Sequence, residues 1–381
     1  MILNQFEYSE FDGLPIKWLL KPFMLEKVNL LVGKNATGKI NTLHKIVWLA
    51  NMLAGVQPQL LNSGNYNVEF SDNGEIYHYE LKLSAQNVSS EKLTIGEKTM
   101  FSRGRDGKGK IVAEQYLKPM KFQLSPNQLV VVSKRDIIQH PYLEKLFIWA
   151  NGLRFYEFGT SLGRDTFMIT NNTNNINVNP RNTNSVVALY VKGEQDFSQF
   201  REQIIASMKE IGYDIGDIRV SANPALVPPI PLDPNSYPLM LYVVEKTSKV
   251  AFFQNQMSQG MFRAFSLITQ LTYNVLSKSS STVLIDDIGE GLDFERSSGI
   301  IKLITRLAEK SGTQLIMSTN DRFVMNNVSL EYWQVIQRTG GECKVFNYQN
   351  SKEKFDEFEY TGLSNFDFLK TDFINSKRES A

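Results

Sequence analysis

Hydrophobic and polar positions change their period several times along this chain, and the changes mark out its elements. Residues 2–32 read as strand material broken by a turn at Asp12–Gly13–Leu14–Pro15, and Leu25–Val32 is a short, mostly apolar buried strand. Asn41–Leu53 then places Leu43, Ile46, Val47, Leu49, Ala50 and Leu53 at helical spacing. Between about 66 and 135 the period drops to two, in Tyr66–Phe70, Ile76–Leu83, Lys92–Ile95, Lys110–Glu114 and Leu129–Ser133. Turn clusters at Ser71–Gly74 and Ser102–Gly109 separate these runs, so an antiparallel sheet inserted after the first helix is expected.

A helix is expected over 141–152 and another over Asp196–Ile211, with strands at Val186–Val191 and Asp217–Ser221. Thr170–Ser185 is rich in Asn and Thr and reads as a mobile loop, and 222–238 holds six prolines and reads as a loop or arm. Leu239–Glu245 and Val250–Gln254 read as a hairpin. From Met257 onward helices and strands alternate as a parallel sheet requires. No repeat and no sustained heptad pattern is present, which excludes a long coiled-coil arm within this sequence. The tail, Phe355–Phe373, alternates acids with aromatics and is expected to dock on its own domain or on a partner.

Between the apolar strand and the first helix, Gly33–Ile40 reads Gly-Lys-Asn-Ala-Thr-Gly-Lys-Ile. This is the phosphate-loop pattern G-x-x-x-x-G-K-[ST], complete except at its last position. Its glycines let backbone N–H groups wrap a phosphate, its lysine adds a point charge, and its final hydroxyl holds Mg²⁺. The helix N-terminus behind the loop adds partial positive charge. Gly33, Lys34, Asn35, Ala36, Thr37, Gly38, Lys39, Ile40 and Asn41 are therefore the expected nucleotide-binding residues. Ile40 cannot ligate a metal, and on a helix Asn41 and Thr42 are turned about 100° and about 200° away from it. ATP binding with slow or absent hydrolysis is the expectation.

Two further segments complete the pattern. Thr282–Asp287 is an apolar strand ending in two acids, of which Asp286 suits Mg²⁺ and Asp287 suits an attacking water. Thr313–Thr319 is another such strand, ending at Asn320–Asp321, where Asn320 reads either as a γ-phosphate sensor or as an ordinary loop residue. Met257–Arg263 (MSQGMFR) precedes a helix over Ala264–Leu276. Its Ser258 can cap that helix and bond a phosphate, and Gly260 permits close backbone approach.

GKNATGKI at 33–40, MSQGMFR at 257–263, TVLIDDIGEGLD at 282–293 and IMSTND at 316–321 together resemble the ABC-type ATPase superfamily. The resemblance is to its soluble branch, which includes overcoming-lysogenization-defect nucleases and structural-maintenance-of-chromosomes-like proteins of the AAA type. It implies an α/β fold: a P-loop ATPase head at 1–350 with its core split between about 1–65 and 255–350. An inserted antiparallel β subdomain and a helical, Pro-rich arm would lie between, and 351–381 would form a tail. It also implies a head-to-tail homodimer or higher oligomer with ATP and Mg²⁺ at the interface. Gly33, Asn35, Gly38 and Lys39 would act in cis, and Ser258, with its neighbours Gln259 and Gly260, in trans. Asp293 would lie along the seam. A metal-linking glutamine is implied too, with Gln139 the candidate and Gln123 the alternative. Asp287 stands where Glu is usual, and Asn320 where His is usual.

Composition narrows the role. Forty-one basic and forty acidic residues leave a formal charge of +1, so bulk charge offers no case for nucleic acid, although Arg103, Arg105, Lys108 and Lys110 form a local basic loop that also reads as a hairpin turn. One cysteine, Cys343, excludes an internal disulfide, and His44, His78 and His140 show no metal-ligand spacing. No apolar run reaches the length of a membrane span, and the first residues carry acids where a secretory leader carries bases, so a cytoplasmic protein is expected. No Toprim-like acid cluster follows Phe323 and no HNH-type histidine set is present. The expected role is a nucleotide-gated switch for a separate nuclease or toxin in anti-phage defence. A DNA-repair ATPase that clamps duplex DNA is the alternative.

Overall fold

The computed structural model describes residues 1–116, 118–170, 176, 178–179, 181–222 and 236–376. Most of the proline-rich stretch at 222–238 and part of the Asn-rich stretch at 170–185 lie outside them. The chain divides into two compact units, residues 1–153 with 329–381 and residues 154–328.

In the first unit β1 (Ile2–Glu10), β2 (Trp18–Met24) and β3 (Val28–Val32) lead to α1 (Lys39–Leu53). Every residue of β3 is buried, as its apolar run predicts. The antiparallel ribbon follows as β4 (Ser63–Asp72), β5 (Glu75–Ser84), β6 (Asn87–Ile95), β7 (Lys98–Arg103), β8 (Lys108–Ala113) and β9 (Lys118–Gln123), each pairing with the next. β1 pairs with both β2 and β4, which fastens the ribbon to the rest of the sheet. Alternate side chains of β4 and β5 are buried, and this one-faced packing fixes their register.

Leu129–Ser133, read as a strand, is instead a single helical turn, α2 (Val130–Ser133). A buried charge explains the difference. The Glu91 carboxylate accepts the Val130 N–H at 2.9 Å and the Tyr79 hydroxyl at 3.1 Å, and it pairs with Arg103 at 3.2 Å. Burial holds the Glu91 carboxyl above its usual range, although Arg103 and the backbone donors oppose the shift. An acceptor fixed at a helix start outweighs the strand preference of three valines. α3 (Pro141–Gly152) then packs on α1.

The last residues return to this unit. β17 (Trp333–Thr339) pairs in parallel with β3, and β18 (Glu342–Asn347) pairs antiparallel with β17 and in parallel with β2. α9 (Tyr348–Glu359) and α10 (Asn365–Lys370) carry the tail aromatics inward. Phe355, Phe358 and Phe368 are buried, with Phe355 stacked on Phe368 at 4.7 Å and Trp333 edge-on to Phe368 at 6.2 Å. The tail thus docks on its own unit.

The second unit contains β10 (Arg154–Glu157), β11 (Met168–Thr170), α4 (Val186–Asp196), α5 (Phe200–Glu210), β12 (Ile215–Ala222), β13 (Tyr237–Glu245) and β14 (Ala251–Phe253). These are followed by α6 (Gln259–Ser277), β15 (Thr282–Asp286), α7 (Phe294–Ser311), β16 (Gln314–Ser318) and α8 (Arg322–Asn327). β10, β15 and β16 are mutually parallel, as the alternation of helix and strand predicts. β13 pairs antiparallel with β11, β12 and β14. Val186–Val191, read as a strand, opens α4, and the helix expected over 196–211 is α5, which starts only at Phe200, after the extended residue Phe197. Both corrections have one cause: the Phe200 ring lies so close over Gly193 that a Cβ there would approach it to 2.2 Å. That contact folds α5 back beside α4 and turns the apolar face of α4 toward α6, which also packs on α5 and α7. Among the described residues no helix is long and apolar enough to cross a membrane.

Replacing Phe368 by alanine empties the centre of the tail cluster and is expected to destabilise the first unit by about 3–5 kcal/mol. Urea unfolding followed by tryptophan fluorescence checks this, and a cost below about 1 kcal/mol would make the tail peripheral.

Candidate functional site

One group of candidate residues, within the first unit, forms the turn between β3 and α1. The parallel register that sets Val335 beside Val32 carries the Ile336 carbonyl against Gly33, where a Cβ would stand 2.6 Å from that oxygen and 2.8 Å from Thr37 Oγ1. Ala36 at φ 63° and Gly38 at φ 104° then turn the chain back in the left-handed region, and α1 begins. Lys39 is buried in the loop and donates from Nζ to the carbonyls of Gly33 at 2.7 Å and Lys34 at 3.1 Å. Lys34, Asn35 and Ala36 are exposed at the rim. A buried ammonium, a helix N-terminus and a glycine-lined turn are the parts that a phosphate-binding loop requires.

The oxygens beside it do not complete a Mg²⁺ site. Ile40 is 38% exposed and carries no donor. The Thr42 hydroxyl donates to Gly38 O at 2.9 Å, and the Thr37 hydroxyl donates to Lys34 O at 2.8 Å. The loop residues therefore fit a phosphate chain and lack the oxygen ligand of the usual metal site. Gln139 is exposed in the turn ahead of α3. Its N–H donates to Asp136 Oδ1 at 2.6 Å and its carbonyl accepts from Glu114 N. It follows the α2 turn rather than the strand that the sequence suggests. Gln123 closes β9, far along the sheet order from β3.

A second group of candidate residues belongs to the other unit, where β15 and β16 bring Asp286, Asp287 and Asn320 together. Ser318, which sequence reasoning passed over, is the joint. Its hydroxyl donates to Asp286 Oδ1 at 2.6 Å and accepts the Asp287 N–H at 2.9 Å. Asp287 sits at φ 57°, a conformation costing of order 1–2 kcal/mol for an L-residue. Its Oδ1 accepts the Asn320 backbone N–H at 3.2 Å, which fixes the carboxylate and leaves the Asn320 amide at an exposed position. A small hydroxyl residue ending the strand next to the acidic one was the available signal for Ser318.

Ser258 caps α6 by accepting Met261 N–H at 3.2 Å, and both Ser258 and Gln259 are exposed. Gly260 is buried against the turn after β15, where a Cβ would lie 2.2 Å from Gly291 O. Arg263, also unforeseen, ties the two segments: it donates to Glu290 O at 2.8 Å and to Thr160 O and Gln259 Oε1 at 3.3 Å. Burial lowers its pKa, opposed by Glu290 and Asp287. Asp293, expected along a dimer seam, caps α7 through Arg296 N–H at 3.0 Å and pairs with the Arg296 side chain, which together hold its carboxyl below the usual range.

A glycine-lysine turn after a buried strand in the first unit, and an acidic strand end with a capped glycine turn in the second, are features of the P-loop ATPase head fold. Comparison with known proteins agrees. Residues 150–326 match the family described as "AAA domain, putative AbiEii toxin, Type IV TA system". An SMC head bound to the C-terminal winged-helix domain of ScpA matches with a TM-score of 0.54 at 11% identity, covering 91% of this chain and 98% of that one. An SMC head with an extended coiled coil, bound to the C-terminal domain of ScpA from Pyrococcus furiosus, matches with a TM-score of 0.50 at 10% identity, covering 94% and 99%. No curated protein sequence matches.

Gly260→Ala forces a Cβ into a backbone carbonyl that cannot swing aside. It is expected to cost about 1–3 kcal/mol and to lower the thermal midpoint, whereas Gln259→Ala at the exposed neighbour is expected to leave it within error. Differential scanning calorimetry of the two variants checks both.

Proposed function

We propose that this chain is an ATP-binding head that closes with a second copy around ATP and acts as a nucleotide-gated switch for a separate effector, such as a nuclease or toxin, in anti-phage defence. The buried Lys39 ammonium, folded onto the Gly33 and Lys34 carbonyls at the start of α1, carries this reading. Residues 33–41 would hold the phosphates in cis, and the exposed Ser258–Gln259 pair with Gly260 would reach them in trans. Asp286 and Gln139 are the remaining candidates to face a metal, Asp287 to orient water and Asn320 to meet the γ-phosphate. The presence of ScpA domains on the SMC heads supports a partner protein, and the toxin wording of the matched family supports a defence setting.

Hydrolysis is weak on this reading because Ile40 removes one metal ligand. Ile40→Ser is expected to raise turnover at least tenfold while changing ATP affinity only a few-fold, and Lys39→Ala to abolish binding. Equal turnover by the parent and Ile40→Ser chains at saturating ATP and Mg²⁺ overturns the first statement, and absence of ATP binding overturns the whole. Sedimentation with and without ATP tests closure, since a chain that stays monomeric when saturated does not act this way.

An open groove between β7, β8 and β9 favours a second reading, DNA clamping, because Lys108, Lys110 and Lys121 surround Phe122 there. Arg103 is not available to it, being buried in its ion pair with Glu91. If duplex DNA binds here, neutralising Lys108, Lys110 and Lys121 with Arg105 flattens the slope of log affinity against log salt by about 0.9 per lost contact. An unchanged slope removes this groove from the DNA path.

A further inference from the structure

β9 ends the sheet, pairs with β8 and is exposed at every position except the half-buried Phe122. Its Lys121 stands directly opposite Lys110, and like charges so placed destabilise a strand pair. Neither lysine makes an ion pair among the described residues. Next in the same cross-strand row come Ser102 and Lys92, and the first carboxylate, Glu80, is already paired with Lys92 at 3.0 Å. Asp106 is engaged by Lys108 at 3.7 Å. The two unpaired ammoniums share an open groove of about 880 Å³ with the ring of Phe122. The partner that suits this groove carries a carboxylate and an aromatic ring side by side, since a phosphate chain would answer the lysines and leave the ring uncovered.

The same unit presents such a pair at its tail. Between Tyr348 and Asp372 six acids stand against three lysines. Phe355, Phe358 and Phe368 are buried, but in the turn between α9 and α10 Tyr360 is 92% exposed and Leu363 is 52% exposed. That turn is preformed: Thr361 Oγ1 donates to Phe358 O at 2.7 Å, the Leu363 N–H donates to Thr361 Oγ1 at 3.2 Å, and Gly362 takes φ 69°. Glu359, exposed beside Tyr360, makes no ion pair among the described residues. A tyrosine held out by a rigid turn is the type of residue that anchors an interface, because little freedom is lost when it docks. The groove of its own chain is out of reach. α9 packs on β18, and β9 lies eight strands further along the sheet, a span of about 38 Å at ~4.8 Å per strand.

We propose that the Glu359–Tyr360 turn of one copy seats in the β7–β9 groove of a second copy, with Tyr360 against Phe122 and Glu359 facing Lys110 and Lys121. Knob and groove are different surfaces, so the contact is heterologous and repeats into a ring or an open chain. It uses neither the 33–41 loop nor Ser258, and it forms without nucleotide.

Sedimentation velocity of the full chain in the absence of nucleotide, at low and at high salt, tests this. Self-association that grows with concentration and weakens with salt is expected. Tyr360→Ala, and separately Lys110→Glu together with Lys121→Glu, are each expected to weaken it at least tenfold while the circular dichroism stays unchanged. Should the paired groove change unfold the chain, Lys121→Gln alone makes the same comparison. Mixing the tail variant with the groove variant is expected to restore a one-to-one pair, because each keeps the surface that the other lacks. A parent chain that stays monomeric, association that survives both changes, or a mixture that fails to pair overturns the proposal. So does a monomeric chain whose groove lysines bind a duplex oligonucleotide equally well with and without Tyr360, which assigns them to nucleic acid. None of these outcomes bears on ATP binding at the loop.

Discussion

Where β3 ends the chain has no room for a side chain, because a Cβ on Gly33 would press to 2.6 Å against the Ile336 carbonyl of β17. That contact follows from a parallel register between two strands some three hundred residues apart in sequence, and everything in the loop follows from it. The backbone, brought in so closely, must reverse through left-handed positions before α1 can begin. The reversal leaves carbonyls of Gly33 and Lys34 facing the Lys39 ammonium. Under the proposed function, the buried ammonium would meet phosphate oxygens here, whose full negative charge makes them stronger partners than carbonyls.

The second unit uses the same physical device. Gly260 lies against the Gly291 carbonyl with no space for a Cβ, and Arg263 stitches the start of α6 to the turn carrying Glu290. Ser318 meanwhile bonds the Asp286 carboxylate and the Asp287 N–H through one hydroxyl. The exposed Ser258 and the acidic strand end are thus linked through backbone and buried polar contacts rather than through flexible surface side chains. A displacement at one would be felt at the other, since packed, hydrogen-bonded segments of this kind deform little.

The departures from the usual motifs fall on metal chemistry rather than on phosphate binding. Ile40 is partly exposed and offers no oxygen where a hydroxyl would have served, while the two nearby threonines donate their hydroxyls to backbone carbonyls. Asp287 is fixed by a strained backbone and by Asn320 N–H, so its shorter side chain is at least held in place. Under the proposed function, ATP binding and turnover are therefore separable properties of this chain.

Much of the fold was legible because local rules were enough. The apolar run of β3, the glycine-lysine loop, the alternation in β4 and β5 and the strand ending at Asp286 each follow from periodicity or turn chemistry. Two segments misled. The valines of 130–132 form a helical turn because a buried Glu91 waits at its start, and Val186–Val191 is helical because α6 and the ring of Phe200 decide which face is inward. Ser318 and Arg263 were invisible for a related reason, since their importance lies in what they touch across the fold. The sequence by itself determined the phosphate loop, the acidic strand and the capped glycine turn, whose chemistry resides in a few neighbouring residues. Only the tertiary structure decided which strand end Ser318 and Arg263 serve and where the aromatic tail buries itself, because those outcomes depend on partners distant in the chain.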